Sequence, residues 1–375
     1  MIKVKTHSGR EFYAAKIADG SLNKTRARHD MRVIQIEDAA LEQIAPAVLA
    51  AKEKFGAGRV AVCVGCCDNG SEFSVAGHRE YFEKGAFPKN YSLEIQSADY
   101  PATYAKEKFG LQGPAYVFAT ACSSSGSAIA KGAELIMAGM ADAAIVGGVD
   151  VASDTTLLGF DSLEAVSETK TNPFSKNRSG ITLGEGAAFF VLTKDAGLAK
   201  QDAAVSVRLL GFGQSADASH MTAPLADGSG ALAAMKEALA DAGLDASQVD
   251  YLNLHGTGTK LNDSMEAKAA SECFGSACAS LLASSTKPMT GHTLGASSAV
   301  ELAACWLSIV NNIDKSSDKI ELPLHLYDGQ YDPELPRLNL IGPETKFNKK
   351  INVCMSNSFG FGGCNVSLII GKSNG

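Results

Sequence analysis

Apolar residues recur at helical spacing over residues 38–55, where Leu41, Ile44, Val48, Ala51 and Phe55 share one face. The pattern predicts a helix with Asp38 as its N-cap and Gly56 and Gly58 as its stop. A continuous apolar run over 59–65 predicts a buried strand, and 66–113 is polar and aromatic with a helix near 99–109. A strand over 116–120, a helix of small residues over 123–140 and a strand over 143–148 follow. The second half repeats the rhythm: helix 230–242, strand 251–254, helix 263–274, strand 281–284, helix 294–310 and strands 352–356 and 365–370. Segment 311–350, polar with scattered prolines, reads as a surface excursion. Alternating strands and helices imply an α/β protein whose helices cover sheets. The two rhythms align, strand–Cys122–helix on strand–Lys287/His292–helix. The expected organisation is one duplicated domain over 1–375, with halves of about 1–200 and 201–375.

Composition narrows the classes. Hydrophobic residues are 45% and charged residues 20%, with a net charge of −7, the balance of a globular chain able to bury a large core. Net acidity without a basic block argues against a nucleic-acid partner. No run of 18 apolar residues exists to span a membrane, and no apolar leader follows Met1. The nine cysteines are odd in number and irregular in spacing, which fits a reducing cytoplasm better than a disulfide framework. Cys63 and Cys66 form a C-x-x-C without a second pair at zinc spacing, so buried strand cysteines are the expectation. Glycine stands out: there are 37, where an ordinary share gives roughly 26.

Four stretches carry candidate chemistry. In Ala119-Thr-Ala-Cys122-Ser-Ser-Ser-Gly126 an apolar strand runs into a helix of small residues. Cys122 then sits at a helix N-terminus, where the dipole is expected to lower its thiol pKa. In Asn253-Leu-His255-Gly-Thr257-Gly-Thr259-Lys-Leu-Asn-Asp263-Ser-Met-Glu266 a strand delivers His255 at its C-terminal end, and Asp263 is a candidate cap for the next helix. In Lys287-Pro-Met-Thr-Gly-His292 a histidine opens an apolar helix that carries Glu301. A carboxylate there needs a partner if buried, and Lys287 is the candidate. Finally, Ser356-Asn-Ser-Phe359-Gly360-Phe361-Gly362-Gly-Cys364 is a flexible loop with accessible N–H groups, able to supply an oxyanion donor and a bulky gate.

Together these stretches resemble the β-ketoacyl–acyl carrier protein synthases of the elongating type, within the thiolase-fold condensing enzymes. The resemblance runs from about residue 59 to 370 and includes Asp217-Ala-Ser-His220-Met-Thr222-Ala-Pro224 and Pro173-Phe-Ser-Lys176-Asn-Arg178-Ser-Gly180. It implies two βαβαβαββ halves in a five-layered αβαβα core, usually a dimer. It implies Cys122 as the acylated nucleophile, His255 and His292 as the histidine pair, and Lys287 and Glu301 as their support. Asp263 and Glu266 match the acidic pair, and Thr257, Thr259 and Thr222 the positions that touch the phosphopantetheine arm. Phe361 matches the gate whose N–H joins that of Cys122 in the oxyanion hole, within the loop of Phe359, Gly360 and Gly362. The implied activity is decarboxylative condensation of an acyl chain on Cys122 with malonyl-acyl carrier protein. Acyl carrier protein is the implied partner, and no metal or other cofactor is expected.

The N-terminus departs from the resemblance. Family members begin with an apolar strand ending in a Thr-Gly-like turn, and here only 2–6 fits that place. The segment before the first helix is several tens of residues shorter, and 66–72 replaces a more glycine-rich loop. Chain-length preference and pathway, fatty acid or polyene and polyketide, are left open, as is a homodimer against a heterodimer with a ketosynthase-like subunit. A non-catalytic chain-length-factor-like subunit is the alternative, but such subunits typically lose the cysteine. The initiating branch resembles Cys-His-Asn, so His292 favours elongation.

Overall fold

Two short strands, β1 (Ile2–Lys5) and β2 (Glu11–Ala15), pair antiparallel at the start of the chain. The computed structural model describes residues 1–25, 30–68, 70–199, 206–312, 320–347 and 350–372. Helix α1 (Arg32–Phe55) starts earlier than the periodicity from 38 suggests, because Val33, Ile34 and Ile36 are also buried. Asp38 is therefore not its N-cap. It lies inside the helix, where its carboxylate accepts from Lys108 Nζ at 2.6 Å and from the Tyr104 hydroxyl. Ile34, Leu41 and Val48 are fully buried on one stripe, each contributing about 2 kcal/mol of apolar burial.

Strand β3 (Val60–Gly65), helices α2 (Ser71–Lys84) and α3 (Tyr100–Phe109), strand β4 (Ala115–Phe118), helix α4 (Ser124–Met137), strand β5 (Ala143–Asp150) and helix α5 (Asp154–Ser162) follow. Strands β6 (Leu183–Gly184) and β7 (Gly186–Thr193) and the short helix α6 (Ala196–Ala199) end the first half. The second half holds β8 (Val207–Ala216), α7 (Ser229–Ala242), β9 (Tyr251–Asn253), α8 (Lys260–Phe274), β10 (Leu282–Ser284), α9 (Lys287–Thr290) and α10 (Ser297–Val310). Strands β11 (Asn339–Leu340), β12 (Val353–Phe359) and β13 (Cys364–Lys372) complete it.

The sheets show the duplication. One has the order β4-β3-β5-β7 and the other β11-β10-β9-β12-β13-β8. In each, a parallel pair (β3 with β5, β9 with β12) is followed by an antiparallel strand, β7 or β13. Helices α4 and α10 pack on each other between the sheets, α1 and α3 cover the first sheet, and α7 and α8 the second. That is the expected five-layered order. The period-two alternation of β3 sorts its side chains: Val60, Val62 and Val64 face α1, while Ala61 and Cys63 face the central helices. Cys63 and Cys66 fall in different core layers, so the C-x-x-C is not a site. Burial pushes the Cys63 thiol up to about 12.

A further expectation needs correction. The segment from 311 to 350 is not simply a surface excursion, although 313–319 and 348–349 lie outside the described residues. Leu335, Leu338 and Ile341 are buried, and β11 adds to β10. The expected strand over 2–6 forms as β1 (Ile2–Lys5). Among the described residues β1 pairs with β2 alone, and β2 joins β6 in a separate three-stranded sheet.

Candidate active site

The turn between β4 and α4 places Cys122 at the floor of a cleft between the halves. Ala121, just before it, has φ 52°, a left-handed conformation that non-glycine residues rarely hold without compensation. The compensation is visible: Ser124 Oγ accepts from Thr120 N–H at 2.9 Å and donates to the Ala121 carbonyl at 2.6 Å. Gly360 presses against this elbow; a Cβ there would lie 2.8 Å from the Thr120 carbonyl oxygen and 3.3 Å from Cys122 N. The backbone N–H groups of Phe361 and Cys122 face the sulfur.

Cys122 corrects the expected thiol. Burial raises it to about 11, against the opposite pull of Lys287 and of those two N–H groups. Desolvation outweighs the helix N-terminus here, so the resting group is a thiol rather than a thiolate.

His255 and His292 approach from the second half. Their ring centroids are 5.3 Å apart at 87°, and one atom of each ring and the Cys122 sulfur lie within 4.8 Å of one another. Lys287 Nζ donates to the His255 carbonyl at 2.5 Å, lies 3.3 Å from His255 Nδ1, and pairs with Glu301. An ammonium has no lone pair to offer, so Nδ1 of His255 accepts. His292 Nδ1 accepts from the Leu294 N–H at 3.2 Å. Both neutral rings therefore carry their proton on Nε2. Burial holds both imidazoles well below the ordinary histidine range, with Lys287 acting in the same direction and His292 adding to the effect on His255. In ¹⁵N-detected NMR both rings are expected to be neutral Nε2–H tautomers at pH 6; a ring charged at that pH, or protonated on Nδ1, would contradict these contacts.

The acidic residues hold the loop that carries His255. Glu266 accepts from the His255 N–H at 2.8 Å and the Gly256 N–H at 2.7 Å, and burial raises its carboxyl to about 7. Asp263 does not cap α8. Thr259 does so, accepting from Asn262 N–H at 3.3 Å. Asp263 instead accepts from Phe174 N–H at 2.8 Å and Gly258 N–H at 3.1 Å, tying the 171–180 segment to the histidine loop. Burial also raises Glu301, against the pull of Lys287, to about 7.

Phe160, Thr257, Thr259, Phe359 and Phe361 line the space beside Cys122 and the histidines. Thr222 does not reach it. It lines an adjoining hollow that shares Asn262, Phe359 and Phe361. The free volume beside Cys122 is only about 10 Å³, room for about one water, and Phe361 rests on Phe160 at 5.6 Å between centroids. Asp150 is a positioning residue that sequence reasoning misses. Its buried carboxylate accepts from the N–H groups of Cys67 at 2.9 Å, Asp68 at 3.0 Å and Gly295 at 2.8 Å, joining the halves behind the site. A charge closing the apolar run of β5 was the available signal.

Residues 14–196 match "Beta-ketoacyl synthase, N-terminal domain" and residues 207–314 "Beta-ketoacyl synthase, C-terminal domain". The chain belongs to the beta-ketoacyl synthase family. Among curated members of that family, it is 38% identical to 3-oxoacyl-acyl-carrier-protein synthase 2 of Coxiella burnetii over 71% of this chain and 63% of that protein. The match therefore spans less than two thirds of the Coxiella protein. The Staphylococcus aureus (strain COL) protein of the same name is 33% identical over 94% of this chain and 84% of its own length. Among solved structures, a ketosynthase in complex with its chain length factor from Xenorhabdus doucetiae matches with a TM-score of 0.87 and 36% identity, covering 100% of this chain and 90% of that one. The shared architecture is the thiolase-like fold of the ketosynthases.

Proposed function

We propose that the protein is a 3-oxoacyl-acyl carrier protein synthase, an acyltransferase that extends an acyl chain by decarboxylative condensation. The observation that carries this is the cysteine between two histidines whose free protons both sit on Nε2. The Cys122 sulfur attacks the thioester carbonyl of an acyl-carrier protein. A carbon–sulfur bond forms to Cys122, the bond to the carrier breaks, and the thiol proton passes to the departing carrier thiol. The tetrahedral oxyanion is held by the N–H groups of Phe361 and Cys122. Malonyl-carrier protein then loses carbon dioxide, leaving its electron pair on a thioester enolate whose oxygen accepts from the two Nε2–H groups. The enolate carbon attacks the acyl-cysteine, the carbon–sulfur bond breaks, and Cys122 regains a proton. Two neutral donors suit an enolate, which must be stabilised yet leave its carbon nucleophilic.

Thr257 and Thr259 are the residues proposed to meet the phosphopantetheine arm, which arrives with the carrier protein. The reaction so written needs no resident cofactor. A Cys–His–His set can also ligate zinc, but the Lys287 ammonium, 3.3 Å from His255 Nδ1, puts a positive charge beside that set and disfavours a second cation there. Such a carrier-dependent synthase belongs in the cytoplasm; among the described residues no helix is long and apolar enough to cross a membrane. The exposed edge of β4, with Tyr116, Met137 and Met140 exposed beside it, is the proposed dimer surface. It would take a second copy or a ketosynthase-like subunit.

Intact-mass spectrometry across a panel of acyl-carrier proteins tests the reading. The expected result is one acyl adduct on Cys122, followed by carbon dioxide release and a 3-oxoacyl product when malonyl-carrier protein is added. Absence of any adduct across the panel would sink it.

A further inference from the structure

Each half carries an elbow of the same build. In the first, Ala121 opens a short 3₁₀ turn (Ala121–Ser123) that runs into α4 at Ser124. In the second, Leu294 opens a turn of equal length (Leu294–Ala296) that runs into α10 at Ser297. The opening residue is left-handed in both, with φ 52° at Ala121 and 50° at Leu294. Gly295 therefore stands where Cys122 stands in the other half. It leaves no room for a nucleophile, because a Cβ there would lie 2.8 Å from Asp150 Oδ2. The N–H groups of Cys122 and Phe361 face the sulfur in the first elbow. In the second, the N–H groups of Gly295 at 2.8 Å and Cys67 at 2.9 Å both donate to Asp150 Oδ2. We propose that Asp150 is a positioning residue for His292, its carboxylate bracing the second elbow so that the Leu294 N–H stays on His292 Nδ1 and the ring proton on Nε2.

A left-handed leucine persists only where its surroundings hold it. Ser124 Oγ does this for Ala121 in the first elbow. Ser297 holds the place of Ser124 in the second, but its hydroxyl is turned to Glu301. The brace comes instead from the other half. Asp150 is fully buried and also accepts, on Oδ1, from the N–H groups of Asp68 at 3.0 Å and Val151 at 3.1 Å. Hydrogen bonds to a carboxylate are stronger than those between neutral groups. The Gly295 N–H belongs to the peptide plane that follows Leu294, so fixing it fixes the Leu294 backbone.

The main chain of His292 is held separately. Its N–H donates to the Thr182 carbonyl at 2.7 Å, and its carbonyl accepts from the Gly184 N–H at 2.9 Å. Loss of Asp150 therefore leaves the ring in place but frees its Nδ1 from the Leu294 donor, now at 3.2 Å. His255 is unaffected, because Lys287 fixes its Nδ1. The inference rests on the donor role proposed above for His292. It gives the two elbows different duties, one holding the reacting groups and the other a resident anion.

The test compares Asp150→Ala, which leaves the N–H groups without their acceptor, with Asp150→Asn, which keeps one carbonyl oxygen for Gly295 and Cys67. ¹⁵N-detected NMR is run at pH 8, above the value of about 7 to which burial and then Asp68 raise the Asp150 carboxyl. Asp150→Ala is expected to show an Nδ1–H population at His292, assigned against His292→Ala, with His255 unchanged. Asp150→Asn is expected to keep the wild-type tautomer. In Asp150→Ala, carbon dioxide release from malonyl-carrier protein should fall at least about tenfold further than acylation of Cys122. Gly295→Ala, whose Cβ presses on Oδ2 from the other side, repeats the test if Asp150→Ala fails to fold. An unchanged His292 tautomer in the folded variant overturns the proposal. So does a change shared with His255, or an equal fall of the two half-reactions, since either marks general loosening. A wild type that neither acylates nor decarboxylates sinks the reading at Cys122 instead, and the NMR comparison still decides the role of Asp150.

Discussion

Cys122→Ala is expected to abolish the acyl-enzyme and lower condensation by about 10³-fold or more, while release of carbon dioxide from malonyl-carrier protein continues. The two half-reactions use different groups. Acyl transfer needs the sulfur and the two backbone N–H groups facing it. Decarboxylation needs the Nε2–H donors of His255 and His292, which are fixed by Lys287 and Leu294 rather than by Cys122. His292→Ala should give the converse, with acylation of Cys122 retained and decarboxylation lost by about 10²-fold or more. Intact-mass acylation and carbon dioxide release, measured on both variants, check the crossing. Loss of both half-reactions in both variants would mean that the site acts as one unit and that the division is wrong.

Lys287→Met is expected to reduce condensation by about 10²-fold, the scale for removing a donor that fixes a catalytic group, with less damage to stability than breaking a buried ion pair usually brings. Removing one partner of such a pair ordinarily costs about 3–5 kcal/mol, because a buried charge is left alone. Glu301, however, is already raised by burial and can take up a proton once the ammonium is gone. The sign follows. A carboxyl raised in the folded state favours folding at low pH, and that contribution is lost as pH rises through its folded value. The Tm deficit of Lys287→Met should therefore be smaller at pH 6 than at pH 8. Adding Glu301→Gln should remove the pH dependence without restoring activity, since His255 Nδ1 still lacks its donor. Condensation rates and thermal melts at both pH values decide the matter; a deficit independent of pH would contradict it.

Much of the site is legible in the chain because it follows local rules. Cys122 stands where an apolar strand meets a small-residue helix, and His255 where a strand ends in a glycine-rich loop. A carboxylate in the apolar α10 calls for a partner, and the structure supplies Lys287. The direction of the Cys122 shift is not legible, because burial is a property of the whole fold and outweighs the local dipole. Strand β8 escapes the hydrophobic pattern for a tertiary reason. It is interrupted by glycines such as Gly213, where a Cβ would stand 2.1 Å from the Ala234 carbonyl oxygen of α7. The role of Asp38 turns on its salt contact with Lys108, far along the sequence, and the early start of α1 on a core that buries Val33, Ile34 and Ile36. Asp150 joins loops from both halves, so its partners are visible only once the halves are stacked.

The cramped space beside Cys122, about 10 Å³ under the Phe361 ring, bears on timing. A thioester is an activated bond, and its lifetime on the protein depends on how rarely bulk water attacks it. On the proposed reading, a thioester on Cys122 enclosed by the same walls would meet few waters and would outlast a long interval between two carrier-protein encounters. Scarcity of the extender would then slow the cycle without squandering the primer.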